Sequence, residues 1–264
     1  MASIDFPLKG KIILITGGGS GIGLSLTRQS AALGACVLVA DLRTTADFDK
    51  LASSDPNIVY MQTDVTKWSD FQKLFAVCEE KWNDVPDAYG ICAGVFEPPF
   101  SNFWQDPEDE ETEGGYKQVR INLDHPMKLT RMAIKKSLGR GKRASVCIIA
   151  SMSGYAANIA LPIYTATKHA ILGFVKSVGP SEALTGVKIT TICPSLVNTP
   201  LIDSQKRKQF NFSEGQGLSP DVVAKNMLKL IQEKELGSGT VLEVAAEGTR
   251  VIPEWYARFP FCFP

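Results

Sequence analysis

The sequence has no stretch approaching the ~18 to 20 apolar residues needed to span a bilayer, and Met1 to Lys9 lacks the apolar core of a secretory signal. It has no excess of charge either, with Lys+Arg and Asp+Glu both at 28 and no long basic block. Nucleic acid and anionic membranes are therefore not expected as partners. Its six cysteines (36, 78, 92, 147, 193 and 262) form no C-x-x-C pair, and four sit inside apolar runs such as Ser145-Val-Cys-Ile-Ile149. They read as reduced core residues of a soluble, cytoplasmic protein. There is no internal repeat and no low-complexity linker, and 264 residues can bury a sizeable core without disulfides. One domain over 1–264 is expected.

What is present alternates regularly. Lys11-Ile-Ile-Leu-Ile-Thr16 is a short, continuous apolar run ended by Gly17-Gly-Gly-Ser-Gly-Ile-Gly23 and followed by helical spacing to Leu33, which predicts strand, glycine turn and helix. Further strands are predicted at 36–40, 58–61, 88–94, 145–150, 187–193 and 240–244, with helices at 68–82, to about 138, from Tyr164 to about Leu184, and 219–235. Crossovers of this length imply an α/β fold: a doubly wound Rossmann-type domain with about seven parallel strands and helices on both faces. Two stretches depart from the pattern. Asp106 to Glu113 is acidic and reads as a solvated loop, and 198–219 is long and weakly periodic, which predicts a lid or mobile loop. The aromatic, proline-rich end from Pro253 is a candidate for packing at a subunit interface.

In such sheets ligands collect beyond the C-terminal strand ends, where this chain places Gly17, Gly94, Ser151 and Pro194. Glycines 17, 21 and 23 let the backbone turn tightly and approach a pyrophosphate at the start of a helix; Gly19, Ser20 and Ile22 complete that turn. Asp41 ends the second strand, where a carboxylate accepts hydrogen bonds from both ribose hydroxyls and repels a 2′-phosphate, favouring NAD over NADP. Arg43 keeps NADP open. Asp64 could hold an adenine amine, with Val65 beside the ring, or could instead cap the next helix.

Tyr164-Thr-Ala-Thr-Lys168 has the other chemically useful spacing. Residues four apart in a helix share a face, so the phenol lies near a fixed positive charge that helps it release its proton. His169 points to another face; it and His125 read as structural, and no metal is expected.

Taken together, Thr16-Gly-Gly-Gly-Ser-Gly-Ile-Gly23, Asp41, Asp64-Val65, Ala93-Gly94, Asn122, Ser151, Tyr164-x-x-x-Lys168 and the Pro194 turn with Thr199 resemble the short-chain dehydrogenase/reductase family over nearly the whole chain. The stretches 165–174, 192–199 and 218–244 are most similar to its NAD-dependent 15-hydroxyprostaglandin dehydrogenase branch and fungal relatives. The resemblance implies that Tyr164 exchanges a proton with the substrate oxygen and that Lys168 lowers the tyrosine pKa and holds the nicotinamide ribose. It further implies that Ser151 bonds the substrate oxygen, Asn122 positions a relay water, and Thr199, in the turn with Val197, contacts the carboxamide. A homodimer or homotetramer is expected by the same analogy.

Three positions depart from the family pattern. Ile91-Cys-Ala-Gly94 replaces Asn-Asn-Ala-Gly, Ser195 replaces the glycine after Pro194, and Leu161 stands where the prostaglandin enzyme has glutamine. The last points to a small, mainly apolar secondary alcohol or ketone, with Phe96, Phe100, Phe103 and Trp104 as candidate pocket walls. Two further readings stand beside NAD-dependent oxidoreduction: a tailoring step of secondary metabolism such as imine reduction or cyclisation, and a nucleotide sensor without turnover.

Overall fold

In the computed structural model, residues 5–106, 115–202, 204–209, 212–213 and 215–253 are described. The acidic 107–113 stretch, Phe210, Cys262 and the tail from residue 254 lie outside them.

The strands β1 (Ile12–Thr16), β2 (Cys36–Asp41), β3 (Ile58–Gln62), β4 (Ala88–Ile91), β5 (Ala144–Ile149), β6 (Val187–Pro194), β7 (Val241–Ala245) and β8 (Gly248–Val251) form one sheet ordered 3-2-1-4-5-6-7-8. The first seven run parallel. Their continuous apolar runs are explained by burial on both faces. Along β1 and β2, Ile12, Leu14, Leu38 and Ala40 enter one core layer, whereas Ile13, Ile15, Val37 and Val39 enter the other.

Helices α1 (Gly21–Ala32), α2 (Ala46–Ser54) and α3 (Trp68–Trp82) alternate with the first four strands. Thr45 caps α2 by accepting from the Phe48 N–H, and Asn83 ends α3 in the left-handed conformation. A helical run then comprises α4 (Lys117–Val119), a π turn at Arg120–Asp124 and α5 (His125–Gly139). After β5 come α6 (Pro162–Val178) and α7 (Glu182–Thr185), then, beyond β6, α8 (Ser204–Gln209) and α9 (Pro220–Gln232). Proline at the first position of α9, behind the Ser219 cap, sets its start.

The structure corrects the sequence reading in two places. The sheet has eight strands; β8 pairs antiparallel with β7 and covers its edge. Its four residues are all exposed, so no apolar periodicity marks it. The helix expected from Tyr164 to Leu184 ends at Val178, because Pro180 cannot supply an N–H and a 3₁₀ turn replaces the next helical turn. The 198–219 segment holds the short helix α8 and is tied back by a Val197–Leu218 bridge.

The chain winds outward from β1 to β3, then returns across β1 to place β4 on its other side. The crevice between the C-terminal ends of β1 and β4 is thus the topological switch point. A cavity of about 780 Å³ lies at the opposite end of the sheet, but its central charges satisfy one another: Lys142 meets Asp84 at 2.7 Å and Asp87 at 2.9 Å.

Candidate functional site

The glycine turn at the end of β1 is shaped by close backbone approaches. Gly17 has φ +67°, and a Cβ there would lie 2.7 Å from Ala93. A Cβ on Gly23 would lie 2.0 Å from the Gly17 carbonyl oxygen. Only glycine lets α1 begin this close to the strand end. The turn leads into α1 at Ser20, whose side chain makes no cap hydrogen bond, and the first helical turn carries no acid that would oppose an incoming anion.

Asp41 reaches this turn directly. Its Oδ2 accepts from the Gly19 N–H at 3.0 Å, while Thr45 Oγ1 donates to the Gly19 carbonyl at 2.7 Å. The ribose candidate and the phosphate turn are therefore one unit, with exposed Arg43 at its rim. Asp64 is more committed. Its Oδ1 accepts from the Thr66 N–H at 3.0 Å and the Thr66 hydroxyl at 2.7 Å, and its Oδ2 faces Lys67. Burial raises its carboxyl, but the Thr66 hydrogen bonds and nearby lysines outweigh this and hold it below its ordinary value. One oxygen is thus spent on the local turn. Val65 is buried in the core layer beside it.

Ala93 and Gly94 continue from β4 against this crevice. Asn122 sits inside the π turn at 1 % exposure, its Oδ1 accepting from the Val95 N–H at 2.9 Å and its Nδ2 donating to the Val95 carbonyl at 2.8 Å. The side chain pins the segment after β4 with one hydrogen bond from each end of its amide. Insertions that widen a helix to a π turn are frequent at functional sites, and this one surrounds a site candidate. His125, one turn on, is buried with Nδ1 against the Ile121 carbonyl at 3.1 Å, and burial lowers it to about 4. It is a neutral ring in the core.

Ser151 follows β5 and accepts from the Ser153 N–H at 3.1 Å. Its side chain lies close enough to Tyr164 to favour the ionised phenol. Tyr164 and Lys168 share the buried face of α6, the ammonium standing 5.4 Å from the tyrosine ring centroid and donating to the Ile149 carbonyl at 2.9 Å. His169 lies on the exposed face.

The pKa of the phenol differs from the sequence expectation. In the protein alone, burial pushes Tyr164 up to about 12 against the pull of Ser151, and burial pulls Lys168 down to about 8. Desolvation of the phenol within its apolar cluster outweighs the pull of Ser151. Ser151 is the group that lowers the phenol.

Pro194, at the end of β6, leads to half-buried Ser195, whose N–H donates to the Val244 carbonyl at 2.9 Å, and to buried Val197. Thr199 closes over the phosphate turn: a Cβ on Gly21 would meet its Cγ2 at 3.1 Å. The substrate side is apolar, with Phe96, Leu161, Tyr164 and Ile202 in one buried cluster and Phe96 edge-on to Tyr164 at 4.8 Å. Of the four aromatics proposed as pocket walls, only Phe96 reaches the tyrosine. Phe100, Phe103 and Trp104 are exposed, and Trp104 Nε1 donates to the Ile159 carbonyl at 2.8 Å on the rim.

Two groups were missed in the sequence. Glu97, next to Phe96, is buried and accepts from the Tyr164 N–H at 3.0 Å; an acid inside Val-Phe-Glu-Pro-Pro-Phe is the only signal it leaves. Tyr155, just after the Ser151 turn, donates its hydroxyl to Glu243 of β7, which Arg250 of β8 also grips at 3.0 Å. The edge hairpin thereby anchors the loop that carries Ser151.

A family model described as short chain dehydrogenase matches residues 11–209. The chain is 32 % identical over 200 residues to the short-chain dehydrogenase/reductase prx4 of Penicillium rubens, covering 75 % of this chain and 58 % of that protein. It is 31 % identical over 205 residues to the D-beta-hydroxybutyrate dehydrogenase of Rhizobium meliloti, covering 74 % of each. In structure it is similar to the 3-ketoacyl-(acyl-carrier-protein) reductase from Brucella melitensis, solved with NADH, at a TM-score of 0.76 and 24 % identity over 90 % of this chain and 97 % of that one. The chain belongs to the short-chain dehydrogenase/reductase family, whose members are oxidoreductases that bind NAD(P)(H). Among the described residues, no helix is long and apolar enough to cross a membrane.

Proposed function

We propose that this chain is an NAD-dependent oxidoreductase that interconverts a secondary alcohol and its ketone on a small, mainly apolar molecule, with Tyr164 as the proton-transfer group. The observation that carries this reading is the convergence of half-buried Ser151 with buried Tyr164 and Lys168 beside the glycine turn held by Asp41. The glycine turn, Asp41, Ala93-Gly94 and the Pro194–Thr199 turn would hold the dinucleotide, since the cradle is kept open by glycines and lined by backbone. When bound, the nicotinamide supplies or accepts the hydride.

The remaining work falls to the chain. Ser151 orients the substrate oxygen and holds the phenol in line with it; Tyr164 takes the hydroxyl proton during oxidation and returns one during reduction. Lys168 holds the nicotinamide ribose and passes protons onward. Asn122, held in the widened turn, positions the relay water. Leu161, Phe96 and Ile202 supply an apolar wall that favours uncharged substrates and excludes water.

NAD is favoured because Asp41 places a negative charge beside the phosphate turn. The resemblance to the 15-hydroxyprostaglandin dehydrogenase branch supports the same cofactor, and Leu161 argues for a less polar substrate than that branch takes. As in the family generally, we place the protein in the cytoplasm as a single-domain homodimer or homotetramer. The test is a screen of secondary alcohols and ketones, 1-phenylethanol and acetophenone among them, for a change in nicotinamide absorbance with wild type and Tyr164→Phe. Turnover lost in the variant while NADH still binds supports the reading; equal turnover in both refutes it.

A further inference from the structure

Helix α6 carries the proposed proton-transfer tyrosine, yet it begins without a cap of its own. Leu161 stands at the N-cap and its side chain makes no cap hydrogen bond; Pro162 follows with no N–H to satisfy. The Thr165 N–H finds the Leu161 carbonyl at 2.8 Å. The N–H of Tyr164 itself is met from another part of the chain, by Glu97 Oε1 at 3.0 Å across 67 positions.

Several features set Glu97 apart from a casual contact. It is 7 % exposed, and its second oxygen, Oε2, is buried without a hydrogen-bond partner. Its φ is +36°, a left-handed backbone that a residue with a Cβ adopts only when its surroundings hold it there. Its neighbour Phe96 packs edge-on against the same tyrosine. Gln118, fully buried, stands on the same donor: with its amide nitrogen donating to the Ser101 carbonyl at 3.0 Å, its oxygen lies 3.2 Å from the Tyr164 nitrogen. Burial raises the Glu97 carboxyl against the pull of the Tyr164 N–H and of the Gln118 side chain. A strained backbone and a costly buried acid therefore coincide at the one amide that sets where the tyrosine enters the site.

We infer that Glu97 is a positioning residue: it caps α6 at the Tyr164 amide from the loop after β4, and so fixes the phenol relative to Ser151 and to the Phe96 wall. The inference rests on the reading of Tyr164 as the proton-transfer group. A misplacement of about 1 Å at a reacting centre can cost about 100-fold in rate, so the cap has room to matter without touching substrate.

Glu97→Gln keeps an acceptor at the same reach, Glu97→Asp keeps the charge but falls one methylene short, and Glu97→Ala removes both. Each is measured for acetophenone reduction, NADH affinity and hydrogen exchange at the Tyr164 amide. We expect Gln to stay within about threefold of wild type, and Asp and Ala to lose about 10- to 100-fold in kcat. KM and the NADH Kd should stay within about twofold, while the Tyr164 amide exchanges about tenfold faster in Asp and Ala. Asp matching wild type, Gln as impaired as Ala, or NADH affinity falling in step with kcat would each overturn the inference. If Ala does not fold, the Gln–Asp comparison decides. Exchange at the Tyr164 amide reads the cap whether or not the phenol moves a proton, and unchanged exchange in Asp overturns the inference by itself. Failure of the chemical reading shows separately, as turnover that survives Tyr164→Phe.

Discussion

Lys168 should be a burden on the fold that is retained for its chemistry, and Lys168→Met exposes both sides. The ammonium is only 5 % exposed, and burial brings its pKa from 10.5 to about 8. Because the folded pKa is the lower one, the unfolded chain binds the proton more tightly. The cost is therefore full below pH 8 and is relieved as pH rises from 8 toward 10.5. A lowering of this size corresponds to roughly 3 kcal/mol at pH 7, falling to roughly 1.5 kcal/mol at pH 9.5. Methionine fills similar space without charge but gives up the hydrogen bond to the Ile149 carbonyl, a loss of roughly 1 kcal/mol. The net gain is roughly 2 kcal/mol at pH 7, or a rise in Tm of roughly 4–8 °C, and most of it should vanish by pH 9.5. Thermal melts of both proteins without nucleotide, at the two pH values, make the test. A variant that melts at or below wild type at pH 7, or whose advantage does not shrink with pH, refutes the reasoning. Turnover should be lost in the variant at either pH.

Two further outcomes follow from the cofactor crevice. Asp41→Ala should shrink the preference for NADH over NADPH by roughly tenfold, because the charge that repels a 2′-phosphate is gone; fluorescence titration of both nucleotides checks it, and a wild type that prefers NADPH contradicts the ribose argument. Gly23→Ala places a Cβ 2.0 Å from the Gly17 carbonyl and should cost about 3 kcal/mol or more, together with nucleotide binding; a urea melt and NADH affinity matching wild type would show that the turn is more forgiving than its geometry indicates.

The parallel sheet was legible because both its faces are buried, which makes each strand a nearly unbroken apolar run, and because the glycine turn can follow only the first of them. The pairing of Tyr164 with Lys168 was legible from helical spacing alone, although its electrostatic consequence was not: the sequence shows a charge beside a phenol, but the burial that raises the phenol belongs to the packed wall of Phe96, Leu161 and Ile202. Strand β8 left no trace because an exposed edge strand has no buried face to pattern it. Helix α6 ends early at a signal that was present, Pro180, whereas the π turn around Asn122 has no compositional mark. Glu97 illustrates the remaining gap. One acid in an apolar loop gives no hint that it meets an amide 67 residues away, since such a contact is fixed only when the loop and the helix are brought together by the sheet between them.

The most direct test of the account is a single turnover of enzyme-bound NADH with acetophenone, wild type against Tyr164→Phe, followed by nicotinamide absorbance. General-acid help of this kind contributes about 10² to 10⁴ in rate, so the account predicts that the variant binds NADH with unchanged affinity and transfers hydride at least about 100-fold more slowly. Hydride transfer at the wild-type rate from Tyr164→Phe would contradict it.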